Sequence, residues 1–223
     1  MKKIIIILLT SALVILSSCA AKFEPEKRIS GLSEDLFYYT GEDFNLTLYP
    51  EIREIPYEKD GFVGETDKYL IFKLNSPVGV NYSQTPKINF QLDGKKYEGE
   101  FEFRPVSYSL LCVLNTSSFP IGSIEVSLNI NEKEENIVLD SLKNEEIVSY
   151  KDIIKNLKNY SNQSVAEFAA DPEKYELRIR LLEDEGFNYW FISVIGKENS
   201  TELLFDAENG EPIAVKEEKN NKA

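Results

Sequence analysis

The sequence predicts a mixed β and α+β protein, in which an N-terminal antiparallel β-sandwich is followed by a small domain of helix and antiparallel sheet. Two observations support this prediction. Between residues 36 and 142, apolar and polar side chains alternate in short runs separated by turn residues, as in half-buried strands. From Ser149 the apolar residues recur about every 3.6 positions, as in a helix, and alternation returns at Tyr175. We therefore assign residues 34–143 to the sandwich and 144–216 to the second domain.

The strongest signal within the sandwich is Asp93-Gly94, which directly follows an alternating run and favours a two-residue hairpin turn. Such a turn would pair Phe90 with Tyr97 and Ile88 with Gly99. The same register predicts an apolar face with Tyr97, Phe101 and Phe103, and a solvent face with Glu98, Glu100 and Glu102. Further strands are predicted at residues 36–39, 44–48, 69–74, 106–114, 124–130 and 137–139.

The second domain is predicted to begin with a helix over residues 150–160, started by Ser149 in a capping position. Asn162 interrupts the helical spacing, and Ser164 starts another short turn that ends before Pro172. Trp190 is expected to pack beneath the helix; in the alternative interpretation it is exposed and forms a ligand platform. Strands are predicted at residues 175–181, 187–195, 201–205 and 213–215.

The N-terminus has the layout of a secretory signal, with Lys2 and Lys3 ahead of an apolar run and then small residues. The run over residues 4–16 is shorter than the roughly 18 to 20 apolar residues that span a membrane. The stretch Leu16-Ser17-Ser18-Cys19 resembles the lipobox of bacterial lipoproteins. An ordinary secretory signal that happens to end near a cysteine is the alternative.

The lipoprotein resemblance implies that residues 1–18 are removed and that Cys19 is acylated on sulfur. It also implies that the protein is anchored through this lipid to the extracytoplasmic face of the cell membrane. The richness in Lys, Asn, Ile and Glu favours a Gram-positive source. Residues 19–33 lack periodicity and are expected to form a lipidated tether, and the charged residues 217–223 a disordered tail.

Two further resemblances concern the folded parts. Ser118-Phe119-Pro120-Ile121-Gly122-Ser123-Ile124-Glu125-Val126 is similar to a turn and late strand of immunoglobulin-like bacterial surface modules. The helix and meander that close on Phe205-Asp206-Ala207-Glu208-Asn209-Gly210-Glu211-Pro212-Ile213 resemble the PepSY family over residues 146–215. This likeness implies a helix packed across a curved sheet, with a role in extracytoplasmic binding or peptidase inhibition. No catalytic residues carry over.

The composition excludes several functional classes. The chain has 25 basic and 38 acidic residues, a net charge of −13 and no histidine. Nucleic acid is not an expected partner, because phosphate binding requires a positive surface. Without histidine there is no Ser-His-Asp or Cys-His catalytic group and no histidine-containing zinc site. Cys112, the other cysteine besides Cys19, lies in an apolar run and is predicted to be buried in the core rather than reactive.

Clustered acids offer two further kinds of chemistry. Residues 132–135, 183–185 and 206–210 could supply oxygen ligands to calcium. The spacing of the last cluster departs from a calcium-binding loop, and the first two clusters lie in polar hairpin turns, so solvated turns are the expected interpretation. Glu98, Glu100 and Glu102 could supply the paired carboxylates of a glycosidase, but one strand face offers no cleft. We predict no catalytic residue, metal ligand or cofactor.

The leading functional hypothesis is a cell-envelope lipoprotein that acts as a non-enzymatic protein- or peptide-binding module. Its membrane contact would be the lipid on Cys19. One alternative is a carboxylate-dependent envelope hydrolase, which requires two acids converging in a pocket. The other is a structural spacer without a ligand.

Overall fold

The computed structural model describes residues 23–75, 85–105, 108–130 and 133–219. It has the mixed β and α+β architecture that the sequence predicts, with many strands and two short α-helices in the described residues. The predicted leader, Cys19 and residues 220–223 lie outside the described residues.

The strands of the described residues are β1 (Ile29–Ser33), β2 (Phe37–Thr40), β3 (Asn45–Glu54), β4 (Thr66–Asn75), β5 (Lys87–Leu92), β6 (Lys95–Glu100), β7 (Glu102–Arg104), β8 (Ser109–Asn115), β9 (Ser123–Ile130), β10 (Lys133–Ser141), β11 (Tyr175–Asp184), β12 (Phe187–Gly196), β13 (Asn199–Asp206) and β14 (Pro212–Lys219). The helices are α1 (Tyr150–Asn156) and α2 (Gln163–Ala170), with 3₁₀ turns at Pro25–Arg28, Leu157–Asn159 and Pro172–Lys174. None of these helices has the length and apolar character needed to cross a membrane.

The N-terminal strands form two antiparallel layers. One layer consists of β6, β5, β9, β10 and β2, paired in that order, and the other of β7, β8, β4 and β3. Strand β2 also pairs with β3. Alternate side chains of each strand turn inward, so the layers share a core. Phe72 of β4 and Phe90 of β5 come from opposite layers, and their ring centroids lie 5.3 Å apart. The other large buried residues of this core include Phe37, Leu46, Leu48, Leu70, Leu74, Ile88, Phe101, Leu128 and Leu139.

The hairpin at Asp93-Gly94 is confirmed. Both turn residues have positive φ, as a tight hairpin turn requires, and Phe90 pairs with Tyr97 in the predicted register. Their rings stack with centroids 5.0 Å apart. The placement of Phe103 on the same apolar face is wrong, because the chain leaves β5 after β6 and β7 pairs with β8 instead. Phe101 fills the core, and Phe103 is exposed.

The C-terminal strands β11 to β14 form the predicted antiparallel meander, and α1 and α2 contribute apolar residues to its core. Ser149 starts α1 as predicted, with its Oγ accepting a hydrogen bond from the Lys151 N–H at 3.3 Å. The assignment of Ser164 as the start of the next turn is wrong. Asn162 caps α2 instead, because its Oδ1 accepts the Val165 N–H at 3.1 Å. Ser164 is buried within α2.

Strand β1 overturns the prediction that the tether extends through residue 33. A 3₁₀ turn begins at Pro25, and β1 then pairs in parallel with β11 and antiparallel with β3. Leu32 of β1 is buried in the core beneath the helices, and Ile52 of β3 packs against the same core. This strand therefore joins the meander to the sandwich in one continuous sheet.

The prediction of a disordered tail from residue 217 is also wrong for its first residues. Strand β14 continues to Lys219 and pairs with β13 over its length. The Nδ2 group of Asn162 donates a hydrogen bond to Glu217 Oε1 at 2.7 Å. The charged residues here thus belong to an exposed edge strand.

Candidate functional site

The two residues singled out as core residues are buried as predicted. Trp190 is 1% exposed, its Nε1–H donates to the Val148 carbonyl at 2.9 Å, and its ring centroid lies 5.9 Å from that of Tyr150 in α1. Cys112 is also buried, and this burial raises the pKa of its thiol to about 11. A thiol that stays protonated is a poor nucleophile. Neither residue presents a surface to a ligand.

In two of the acidic turns, the carboxylates accept hydrogen bonds from backbone N–H groups of the same turn. Asp206 accepts the N–H groups of Glu208 at 2.8 Å and Asn209 at 3.2 Å, and Glu183 accepts the Gly186 N–H at 2.7 Å. Within the ranges that the structure describes, no group of three or more Asp, Glu or Cys side chains is placed to hold a metal ion. These acids therefore stabilise the turns that contain them. Residue 132, the first of the remaining acidic cluster, lies outside the described residues.

The three acids that follow the Asp93-Gly94 turn, Glu98, Glu100 and Glu102, are exposed as predicted. Glu100 pairs with Lys87 at 2.7 Å, and Glu102 pairs with Arg104 at 3.0 Å. None of these three acids lines any of four well-formed cavities in the described residues. They do not enclose a substrate between them.

A cluster of buried charges, which was not predicted from the sequence, lies where β1, β3 and β11 meet. This buried ion cluster consists of Glu54, Glu176 and Arg178, of which Arg178 is the most exposed at 8%. The Nη2 atom of Arg178 lies 2.9 Å from Glu54 Oε1 and 3.5 Å from Glu176 Oε1. Arg178 also donates to the Glu58 carbonyl, and Ser30 Oγ donates to the Glu176 carboxylate. Each charge thus has polar partners, as buried charges require.

Burial raises the pKa of Glu176 to about 7, with Ser30 and Arg178 opposing the shift and Glu54 adding to it. A carboxyl that titrates near neutral pH suits a general acid, so this is the group that the hydrolase hypothesis would need. However, Glu176 is fully buried, and neither it nor Glu54 lines any of the four cavities. Neither acid of the pair therefore faces one of these four cavities.

A second site lies on the outer face of the layer formed by β3, β4, β8 and β7. It is a cavity of about 430 Å³, which we call the outer cavity. Its side chains alternate along the strands with those of the sandwich core, and the sheet register aligns Tyr49, Ile71 and Val113 across its floor. The charged lining residues are Arg53, Lys73, Arg104, Arg180 and Glu51. The uncharged ones are Tyr49, Tyr57, Ile71, Ser109, Leu111 and Val113.

The acid of the outer cavity is already paired. Glu51 is 3% exposed, and its Oε1 lies 3.0 Å from Nη2 of Arg180. The Tyr57 hydroxyl approaches the same carboxylate at 3.5 Å. Burial raises the pKa of Tyr57, and Glu51 raises it further, so the phenol stays protonated at neutral pH. Glu51 thus serves to position Arg180 and Tyr57.

The other cations of the outer cavity are less committed. Arg53 stacks on the ring of Tyr69 at 4.4 Å. In the part of the chain that the structure describes, no carboxylate lies at ion-pair distance from Arg53 or Lys73. Arg104 pairs with Glu102 at the rim, but both are exposed, and such pairs contribute only about 0–1 kcal/mol. A ligand can therefore bind these cations of the outer cavity without breaking a strong ion pair.

Charge distinguishes the outer cavity from three others. A cavity of about 910 Å³ along β5 and β9 has Asp93 and Glu125 as its charged lining, and one of about 330 Å³ beside α1 has Asp152. A mostly apolar cavity of about 550 Å³ behind β3 has two acids and Lys143. Only the outer cavity among these four is positively lined, and this occurs in a chain with a net charge of −13.

Comparisons with known proteins add no assignment: no protein-family model, curated protein or solved structure matches the chain.

The sequence carries a partial signal for both sites. Residues 176, 178 and 180 alternate with apolar residues of β11, and their Glu-x-Arg-x-Arg pattern is typical of a solvent face. This face is covered in the structure because β3 and the loop after it supply partners to Arg178, which donates to Glu54 and to the Glu58 carbonyl. The pairing of β1 with β11 spans most of the chain, so local periodicity did not indicate it.

Proposed function

We propose that the chain is a lipid-anchored, non-enzymatic module of the cell envelope that binds a protein or peptide. The outer cavity is the observation that carries this proposal. Its volume lies within the range of small ligand sites, and it combines an apolar floor with a few polar groups at its walls. Such a surface suits the binding of one side chain or a short segment of a larger partner.

The outer cavity also favours binding over the two alternatives. A hydrolase that uses carboxylates needs two acids beside its substrate, whereas the cavity contains Glu51, and Arg180 holds that acid. A spacer has no use for half-buried cations such as Arg53 and Lys73, which lose hydration without a carboxylate in the described residues to replace it.

Anchoring is proposed from the lipobox-like residues that end at Cys19. The fold begins only four residues later, because Phe23 packs edge-on against Phe168 with ring centroids 5.4 Å apart. Four residues span at most about 14 Å, so the folded body would stand close to the membrane surface. A ligand would then be bound near the membrane rather than far out in the envelope.

Cross-linking in intact cells tests the proposal. A photoreactive residue replaces Val113 in the floor of the outer cavity or, as a matched control, the exposed Val138 on β10, which lines none of the four cavities. We expect a discrete adduct from position 113 and none from position 138. We also expect the wild-type chain in the membrane fraction and Cys19→Ser released from it.

Equal labelling from both positions, or no adduct from position 113, would contradict a binding role for the cavity. If Cys19→Ser remained with the membrane and still took up labelled fatty acid, the proposed anchor would be wrong.

A further inference from the structure

We infer that the outer cavity binds the carboxylates of an acidic peptide segment whose other side chains are apolar. The inference rests on the proposed binding function and adds the chemical class of the ligand. Two features of the cavity lead to it: cationic groups without acidic partners, and an apolar floor between them.

The sign of the ligand follows from the charges. The lining of the cavity contains a single acid, Glu51, and four cations, which are Arg53, Lys73, Arg104 and Arg180. Cations that are brought together repel one another, and an anion that enters relieves this repulsion. The partly covered position of Arg53 and Lys73 reduces screening by solvent and salt, which strengthens their attraction for such an anion.

Two arginines that line the cavity already pair with carboxylates of the chain itself. Arg180 pairs with the Glu51 carboxylate at 3.0 Å, and Arg104 pairs with the Glu102 carboxylate at 3.0 Å. Arginine presents several N–H donors in a fixed plane that matches a carboxylate. A ligand acid can therefore bind Arg53 and Lys73 directly and can replace Glu102 at Arg104. Glu51 stays in place because it is buried and its carboxylate is already paired with Arg180.

The floor indicates why the acids should belong to a peptide. Ile71 and Val113 are directly paired, and Leu111 lies beside them on the same face of β8. Neighbouring strands are about 4.8 Å apart, and next-but-one residues along a strand about 6.6 Å. Next-but-one residues of an extended peptide share one face with the same spacing, so the peptide can place one apolar side chain on this floor and direct the acids on either side of it to the walls. A small, strongly hydrated anion would leave the floor uncovered.

Fluorescence anisotropy with the full chain in detergent tests the inference. The probe is a labelled octapeptide with blocked ends, in which Glu, an apolar residue and Glu occupy successive next-but-one positions and so share one face, and its control has Gln at every Glu position. We expect the Glu peptide to bind at least tenfold more tightly than the Gln peptide. Arg53→Gln and Lys73→Gln should each weaken binding of the Glu peptide about tenfold. Lys96→Gln on the exposed face of β6 should leave it unchanged.

The outcomes separate this inference from the proposed function. Equal binding of the Glu and Gln peptides, or no binding of either, would overturn the carboxylate assignment, whereas the adduct at position 113 would still support a binding module. Equal binding by wild type, Arg53→Gln and Lys73→Gln would place the acidic ligand elsewhere and would also overturn it. Free glutarate that competes as strongly as the peptide would overturn the peptide part alone. Circular dichroism of each variant checks that the fold is retained.

Discussion

At the scale of single residues, Tyr57 connects the buried ion cluster with the outer cavity. The Arg178 guanidinium lies 3.9 Å from the centroid of the Tyr57 ring, while the hydroxyl of Tyr57 reaches Glu51 in the cavity. Gly31 of β1 lies beside this stack: a Cβ atom there would be in ordinary van der Waals contact with Arg178 Cγ at 3.4 Å and with the Tyr57 hydroxyl at 3.6 Å. The shape of the cavity wall thus depends on charges that are buried behind it.

Glu176 should make the stability of the fold depend on pH. Its pKa is raised from 4.5 to about 7 in the folded protein, so the folded state binds the proton more tightly than the unfolded chain. The resulting stabilisation is fully present below pH 4.5 and is lost as the pH rises through 7. Its upper limit is about 3 kcal/mol. In Glu176→Gln this component is absent.

Urea unfolding of the wild type and Glu176→Gln between pH 4.5 and 8 provides the measurement. The difference in unfolding free energy, wild type minus variant, should fall as the pH rises across this window. An exposed control, Glu98→Gln, should give a curve parallel to that of the wild type. A difference that stays constant for Glu176→Gln would refute the assignment.

At the scale of elements, local signals predicted those structures that residues close in sequence determine. Asp93-Gly94 set the register of β5 and β6, and Ser149 marked the start of α1. The prediction failed where distant segments decide the outcome. Phe103 alternates correctly, but β8 draws β7 away from the β5 edge. Asn162 is a good capping residue, but because it follows a helical stretch the sequence pattern there predicts only the end of a helix.

The element-scale prediction concerns the contact between β6 and β8. A Cβ atom at Gly99 would lie 2.3 Å from Cys112 Sγ and 3.1 Å from Leu114 Cδ2, so the two layers approach closely at this point. We expect Gly99→Ala to lower the unfolding free energy by about 1–3 kcal/mol through overpacking. Removing the sulfur in Cys112→Ala should make room for the added methyl group.

A double-mutant cycle measures this coupling by chemical unfolding. The variant with both Gly99→Ala and Cys112→Ala should be more stable than the sum of the single effects implies, by at least about 1 kcal/mol. Additive effects would mean that the sulfur is not the obstacle, and the cost of Gly99→Ala would then lie in the backbone.

At the scale of the whole molecule, two hydrophobic cores share one sheet. The sequence predicted both parts, since each has its own periodicity, but it placed a boundary at residues 143–144 and a tether before residue 34. The structure instead inserts β1 between β11 and β3. Ser30, Gly31 and Ser33 are buried although none is strongly apolar, so hydrophobic pattern alone did not mark β1 as a strand. The buried ion cluster was missed for the same reason, because its residues come together only when β1 is in place.

This connection predicts that the chain unfolds as one cooperative unit. Trp190, the sole tryptophan, reports on the core beneath the helices, whereas Leu70 is fully buried in the sandwich. Leu70→Ala should cost about 2–5 kcal/mol and should lower the urea midpoint seen by Trp190 fluorescence as much as that seen by far-UV circular dichroism. Leu203→Ala, a matched change in the second core, should shift both probes in the same way. If Leu70→Ala left the Trp190 transition unmoved while shifting the dichroism, the two cores would be independent domains.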